Sequence, residues 1–145
     1  MRVAIVVSRF NDFVTERLLD GARAGLAELG IADADVEVLH VPGAFEIPMA
    51  AQRVAEAGKV DAVVCLGCLI RGATPHFEYI ASACANGITA AAASTGVPMS
   101  FGVLTTNSAE EALERAAPGP SNKGREAAEA AVEMARLFGR IGDGR

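Results

Sequence analysis

The sequence predicts an α/β protein, a three-layer αβα sandwich around a four-stranded parallel sheet, and three observations lead to this fold. Four apolar, β-branched segments recur along the 145 residues. Each segment is followed by a loop rich in Gly, Pro or Asn, and then by a stretch with helical periodicity. Strands that alternate with helices form parallel sheets, and right-handed crossovers leave few strand orders. We predict one domain over residues 1–145 with the flavodoxin-like strand order 2-1-3-4.

The strands are predicted from their β-branched runs, which are Val3–Val7, Val36–Val41, Ala62–Leu66 and Met99–Leu104. The first helix is predicted from about Val14 to Leu29, because its apolar residues follow a 3.6-residue period and Gly30 supplies a stop. The other helices are predicted at about Ile47–Ala57, His76–Ser94, Ala109–Ala116 and Lys123–Phe138.

Three of these helices carry further expectations. The third is apolar nearly all round, which predicts burial on several sides, including against a neighbouring subunit. The short fourth helix must end before Pro118. Asn122 is predicted to cap the last helix, because its side-chain oxygen can accept a backbone N–H of the first turn.

The composition of the chain indicates which binding partners and which cellular compartment to expect. The net charge is −5 and there is no basic run, which argues against nucleic acid or an anionic membrane as a partner. The mean hydropathy of +0.29 is high for a small soluble monomer, so we expect a homo-oligomer. No apolar stretch reaches the roughly 18 residues of a membrane span, and the N-terminus lacks a signal-peptide pattern. Three cysteines, an odd number, favour a reducing compartment and a cytoplasmic location.

Cys65 and Cys68 form a lone C-x-x-C motif. A zinc site would need a second pair of ligands at matching spacing, and a redox motif would open a helix. Because Cys65 lies inside an apolar run, we predict buried thiols in and just after a strand, and no metal site.

Ligands of open α/β sheets bind beyond the carboxyl ends of the strands, which selects four loops before any motif is considered. Phe10, Phe45 and Phe101 lie at these strand ends, where a ring can either stack on a flat heterocycle or cap the core. For at least one of the three rings we predict a ligand contact. Glu46 could accept hydrogen bonds from a ligand, or it could serve as a helix N-terminal carboxylate; both roles are compatible.

The loop after the third strand is the most informative. Its Gly72, Ala73 and Thr74 approach a helix N-terminus, where free N–H groups can hold a phosphate, with Arg71 or a distant arginine adding charge. His76 stands beside this loop and could transfer protons, although a structural role stays open.

Five motifs occur in order along almost the whole chain. They are Arg9-Phe10-Asn11, Val41-Pro42-Gly43-Ala44-Phe45-Glu46-Ile47-Pro48, Gly67 with Ile70-Arg71-Gly72-Ala73-Thr74-Pro75-His76-Phe77, Phe101-Gly102-Val103-Leu104-Thr105-Thr106, and Asn122-Lys123-Gly124. Together they resemble the 6,7-dimethyl-8-ribityllumazine synthase family, and the second and third motifs are the most specific. The resemblance implies a transferase of riboflavin biosynthesis. It would condense 5-amino-6-(D-ribitylamino)uracil with 3,4-dihydroxy-2-butanone 4-phosphate, without metal or organic cofactor, to give the lumazine, phosphate and water.

The resemblance also implies roles for individual residues. His76 would be catalytic and move protons, and the residues implied to bind substrate are Phe10, Asn11, Gly43, Ala44, Phe45, Glu46, Leu69, Ile70, Gly72, Ala73, Thr74, Phe101, Arg115 and Lys123. Phe10 would stack on the pyrimidine, and Arg115 would pair with the phosphate. Phe101 and Lys123 match positions that reach the site from an adjacent subunit. Without the resemblance, Arg115 would be interpreted as a solvated helix charge.

Members of this family are homopentamers, and some assemble into hollow icosahedral shells. Two departures from the family pattern argue against assembly into a shell. The chain begins at the first strand, without the N-terminal extension of many members, and Pro118 and Pro120 stiffen the last interhelical linker. An alternative interpretation is a shell or ribityl-pyrimidine-binding protein that kept the fold without the chemistry. A third, the related archaeal-type riboflavin synthase, fits the third-loop motif less well.

Overall fold

The computed structural model describes residues 1–143, in which strands and helices alternate as predicted. The strands are β1 (Val3–Ser8), β2 (Val36–Val41), β3 (Ala62–Ile70) and β4 (Met99–Thr106). The helices are α1 (Asp12–Glu28), α2 (Ile47–Glu56), α3 (His76–Thr95), α4 (Ala109–Arg115) and α5 (Lys123–Asp143). Short 3₁₀ turns precede β2 and α2, at Asp33–Asp35 and Ala44–Glu46.

All four strands are parallel and follow the order β2-β1-β3-β4, which confirms the predicted topology. Every residue of β1 is buried, as expected for a central strand of a sheet covered on both faces. One core cluster lies between the sheet and α1, α4 and α5, and a second lies between the sheet and α2 and α3. The three layers therefore match the predicted sandwich.

The end of β3 was predicted wrongly. The strand continues four residues beyond Leu66 to Ile70, because Gly67–Ile70 stay in register with Val103–Thr106 of the edge strand β4. Gly67 fits there because a β-carbon would sit 3.1 Å from the side chain of Ile47, closer than ordinary packing allows. The extension carries Leu69 and Ile70 to the end of the sheet.

Helix α3 also differs from the expectation. Within this chain only Cys84, Ile88 and Ala91 are buried, so the predicted burial on several sides is wrong for one copy. Tyr79 near its first turn is 72% exposed. The remaining apolar face is open for contact with another molecule.

The three thiols are buried, which confirms the expectation for the C-x-x-C motif. Cys68 lies within β3 rather than just after it. Burial raises the pKa of Cys68 and Cys84 to about 11, and burial together with the nearby Cys84 raises the pKa of Cys65 further. The chemistry of a thiolate is therefore disfavoured at all three positions.

Two properties of residues 1–143 bear on the predicted partners. None of the helices there has the length and hydrophobicity of a membrane span. The same residues contain no group of three or more His, Cys, Asp and Glu side chains arranged to hold a metal ion.

Candidate active site

A cavity of about 570 Å³ opens at the carboxyl ends of β1, β2 and β3. Its lining residues are Phe10, Asn11, Pro42, Gly43, Ala44, Phe45, Glu46, Leu69, Ile70, Gly72, Thr74, His76, Phe77 and Ile80. The strand-end rule selected this edge of the sheet, and the cavity collects most of the predicted site residues there.

Backbone hydrogen bonds fix the loop after β1 against the loop after β2. The Arg9 N–H donates to the Val41 carbonyl at 2.8 Å, and the Phe10 N–H donates to the Pro42 carbonyl at 3.0 Å. The parallel ladder of β1 and β2 thus continues past the strand ends. This places Phe10 at the mouth of the cavity.

Asn11 supports the same loop from the other side. It adopts a left-handed conformation with φ of 62°, which asparagine tolerates better than most residues. Its Nδ2 donates to the Cys68 carbonyl at 2.9 Å, so part of the side chain that was predicted to bind substrate is engaged in holding α1 to β3. The backbone carbonyl of Asn11 accepts the N–H groups of Val14 and Thr15 in the first turn of α1.

None of the three candidate rings caps the core. Phe101 was wrongly predicted at a strand end: β4 continues to Thr106, so this ring lies near the start of the strand, opposite Cys65 of β3. Phe10 is 67% exposed, Phe45 is 58% exposed and Phe101 is 48% exposed. Phe10 and Phe45 line the cavity, whereas Phe101 does not. Exposed rings on a concave surface favour the stacking interpretation over the core-capping one.

Glu46 is the carboxylate of this cavity. It precedes α2 as the backbone cap of that helix, with no side-chain capping bond. A β-carbon built on Gly43 would lie 3.3 Å from Oε1, so the carboxylate leans over that residue. Among the hydrogen bonds and ion pairs of residues 1–143, none uses the Glu46 side chain, which leaves both oxygens able to accept donors from a ligand.

The Gly72–Thr74 loop presents backbone donors. Its N–H groups donate to no backbone carbonyl within residues 1–143, and nothing in those residues would contact a β-carbon on Gly72. The loop leads directly into the N-terminus of α3, where the helix dipole also favours an anion.

The Arg71 side chain is engaged with residues outside this loop. Its Nε donates to Asn107 Oδ1 at 3.1 Å and its Nη1 donates to Glu78 Oε1 at 2.7 Å. Its guanidinium carbon also lies 4.7 Å from the centre of the Phe77 ring. Of the two sources of charge predicted from the sequence, this arrangement favours the distant arginine.

His76 is the first residue of α3 and lines the cavity beside Thr74. Ile80, one turn further along α3, also lines it and was missed by sequence reasoning; the i, i+4 spacing from His76 could have identified it. His40 lies outside both cavities described here, and its Nε2 is 3.8 Å from Glu16 Oε1.

A second cavity, of about 410 Å³, lies along the free edge of β4 and contains the remaining charged candidates. Phe101, Arg115 and Lys123 all line it. Arg115 Nη1 is 3.4 Å from Glu111 Oε1, and Lys123 Nζ is 3.1 Å from Glu126 Oε1. Both cations are about half exposed, so each can exchange its local partner for a stronger anion.

The chain therefore separates the predicted site residues into two groups. The first cavity holds the rings, the carboxylate and the histidine, with Ala73 in the same loop as Gly72 and Thr74 although it does not line the cavity. Arg115 lies with Phe101 and Lys123 in the second cavity rather than beside the phosphate loop of its own chain.

A family model described as 6,7-dimethyl-8-ribityllumazine synthase matches residues 1–139 of the chain. Among solved structures, a de novo designed Rossmann fold protein is 23% identical to the chain, with a TM-score of 0.40. That alignment covers 79% of this chain and 92% of the designed protein.

Proposed function

The chain belongs to the 6,7-dimethyl-8-ribityllumazine synthase family, and on that basis we propose that it catalyses the family's condensation reaction. The substrates would be 5-amino-6-(D-ribitylamino)uracil and 3,4-dihydroxy-2-butanone 4-phosphate. The observation that carries the proposal is the cavity at the strand ends, which brings a stacking ring, a carboxylate, an anion loop and a histidine together. It has the concave, mostly apolar character of a small-molecule site.

The pyrimidine would occupy the half of the cavity that contains Phe10, Glu46 and Leu69. The exposed ring of Phe10 would stack on the heterocycle, and Leu69 would contact its edge with apolar surface. The Glu46 carboxylate would accept hydrogen bonds from the ribityl hydroxyls or the amines. Such contacts fix the attacking amine in one orientation, which is a large part of what a two-substrate condensation requires.

The phosphate would occupy the other half, against the N–H groups of Gly72, Ala73 and Thr74 at the start of α3. Since Arg71 already pairs with Glu78 and Asn107, a further cation would strengthen the balancing charge. Arg115 is the candidate, supplied by a neighbouring copy.

The reaction needs proton transfers at three stages. The amine attacks the ketone carbon and the carbonyl oxygen leaves as water, which forms an imine. Loss of a carbon-bound proton then accompanies breakage of the carbon–oxygen bond to phosphate. The enol left by this elimination takes a proton at its terminal carbon and becomes a new ketone. The second amine then closes the ring on that carbonyl carbon, again with loss of water. His76 lines the cavity next to Thr74, where it can take and return these protons.

We further propose that the working form is a homopentamer in which each site joins the first cavity of one copy to the second cavity of the next. The separation of Arg115 from the phosphate loop within one chain supports this arrangement. The exposed apolar face of α3 provides surface for subunit contacts. A mass measurement in solution tests it, because a pentamer, a larger shell and a monomer differ widely in mass.

The cytoplasm is the proposed compartment. The buried thiols of Cys65, Cys68 and Cys84 are all unpaired in the described chain, as suits a reducing environment. Fractionation of the producing cells, followed by immunodetection, would locate the protein.

Incubation of the assembled protein with both substrates tests the activity. We expect a fluorescent lumazine and stoichiometric phosphate release, and neither signal when one substrate is omitted. Tight binding of the ribityl pyrimidine without turnover would instead identify the protein as a non-catalytic binder.

A further inference from the structure

We propose that Asn122 is a positioning residue that fixes Arg115 and Lys123, the two cations of the second cavity, relative to the sheet. The inference rests on the proposed function and deepens it, because it assigns to one buried amide the geometry of the phosphate-binding charges. Asn122 itself does not line the second cavity.

Asn122 is only 1% exposed, and its side chain makes three hydrogen bonds to backbone groups. Its Nδ2 donates to the Ala116 carbonyl at 2.9 Å and to the Arg17 carbonyl at 3.2 Å. Its Oδ1 accepts the Arg125 N–H at 3.0 Å, which confirms the predicted helix cap. One amide thus joins the end of α4, the start of α5 and the middle of α1.

Residues that form these bonds are direct sequence neighbours of the two cations. Ala116 directly follows Arg115, and Lys123 directly follows Asn122. The bond between Asn122 and Ala116 spans six positions, and the Asn122 N–H donates to the Gly119 carbonyl at 3.2 Å within that span. The two cations are therefore held at the two ends of a closed loop whose ends cannot separate.

Two glycines, one on α1 and one on α5, allow this junction to pack closely against α1. A β-carbon on Gly21 would overlap the Asn122 side chain, and one on Gly124 would overlap the Leu18 carbonyl. The missing β-carbons let α5 approach α1 closely enough for the amide to reach the Arg17 carbonyl. Because α1 packs on β1 and β3, this bond fixes the cations to the sheet.

A role as helix cap does not explain why asparagine, and not another capping residue, stands at position 122. A helix cap needs only the side-chain oxygen, which serine or aspartate supplies equally well. The two N–H groups of the Asn122 amide leave α5 and bind the carbonyls of Ala116 and Arg17. Asn122→Ser therefore keeps an acceptor for the cap and removes both ties to the rest of the junction.

The expected result is a selective loss of phosphate-substrate binding. Free movement at the end of α4 would displace Arg115, and a misplacement of about 1 Å can cost on the order of 100-fold in rate. For Asn122→Ser we expect the KM of the butanone phosphate to rise at least about 10-fold, with the KM of the pyrimidine changed less than about 2-fold.

The matched control is Val132→Ala. Val132 is fully buried on α5, beyond the junction, so its truncation weakens the same helix without altering the amide. Both variants and the wild type would be compared by steady-state kinetics for each substrate, by Tm and by mass in solution.

Three outcomes would overturn the proposal. Equal KM changes for the two substrates, or the same changes in Val132→Ala at equal Tm, would make Asn122 a purely structural residue. Activity lost only together with fold or assembly would have the same meaning. An inactive wild type would reject the proposed function, and this inference with it, whereas an active wild type with an unselective Asn122→Ser would reject the inference alone.

Discussion

Leu69 and Thr105 are partners in the register of β3 and β4, yet they line different cavities. Leu69 belongs to the cavity that holds Phe10 and His76, and Thr105 belongs to the one that holds Arg115. One copy of the chain thus carries two cavities at neighbouring strands. The proposed function requires that each be completed by another copy.

Replacement of His76 by alanine should slow lumazine formation by roughly 10- to 10⁴-fold, the range typical of general acid–base groups. The residue is exposed, so Tm should change little. His40→Ala is the control and should leave kcat unchanged, since His40 lies outside both cavities and its ion-pair partner within residues 1–143 is Glu16. If a folded, assembled His76→Ala protein forms lumazine less than 10-fold more slowly than the wild type, His76 orients the substrate and does not transfer protons.

Phe10→Ala should weaken binding of the pyrimidine. Loss of ring stacking costs about 0.5–1.5 kcal/mol beyond the lost apolar contact, which corresponds to at least a few-fold rise in KM. Phe10→Tyr should retain most of the affinity, because the stacking face remains. Phe13→Ala removes a similarly exposed ring outside the cavity and serves as the control. Equal KM changes in Phe10→Ala and Phe13→Ala would argue against stacking.

Gly124→Ala and Gly139→Ala should have opposite effects on stability, although both lie on α5. A β-carbon on Gly124 would overlap the Leu18 carbonyl, so α5 must move away from α1 at a cost of about 1–3 kcal/mol. Gly139 has nothing within 4 Å of a β-carbon, so alanine should stabilise the helix by about 1 kcal/mol. Thermal unfolding of both variants checks the pair, and a destabilised Gly139→Ala would contradict the packing described here.

The buried thiols should make stability depend on alkaline pH. Burial raises the pKa of Cys68 and Cys84 to about 11, whereas the pKa of an unfolded thiol is about 8.5. Their contribution is complete below the pKa of the unfolded thiols, and it is lost as pH rises from there toward 11. Urea unfolding at several pH values should therefore show a flatter alkaline decline for Cys84→Ala than for the wild type. Identical slopes would mean that folding does not raise the pKa of Cys84.

Much of the fold could be predicted from the sequence because local signals and global topology agree. Gly30, at φ of 84°, follows α1 as the predicted stop, and Asn122 caps α5 as predicted. The end of β3 could not be predicted, because its last four residues are strand only through pairing with β4. The exposure of α3 also could not be predicted from the sequence, since an apolar pattern does not distinguish burial within a chain from burial between chains.

The candidate site could likewise be predicted only in part from the sequence. The strand-end rule located Phe10, Glu46 and Thr74 because each lies in the segment between a strand and the next helix. The position of Arg115 depends on the path of α4 and on the loop that leads to α5, which no local pattern specifies. The engagement of Arg71 with Glu78 was equally unpredictable, because the partner becomes adjacent only once α3 has formed.

Complementation between two inactive variants tests the divided site most directly. His76→Ala damages only the first cavity and Arg115→Ala only the second, so each alone should lack most lumazine synthesis. Subunits of both variants mixed at equal amounts by co-refolding should form some sites that join an intact first cavity to an intact second one. In a ring of head-to-tail contacts this restores about a quarter of the wild-type activity. Mixed assemblies with no more activity than either variant alone would show that the site does not span two copies.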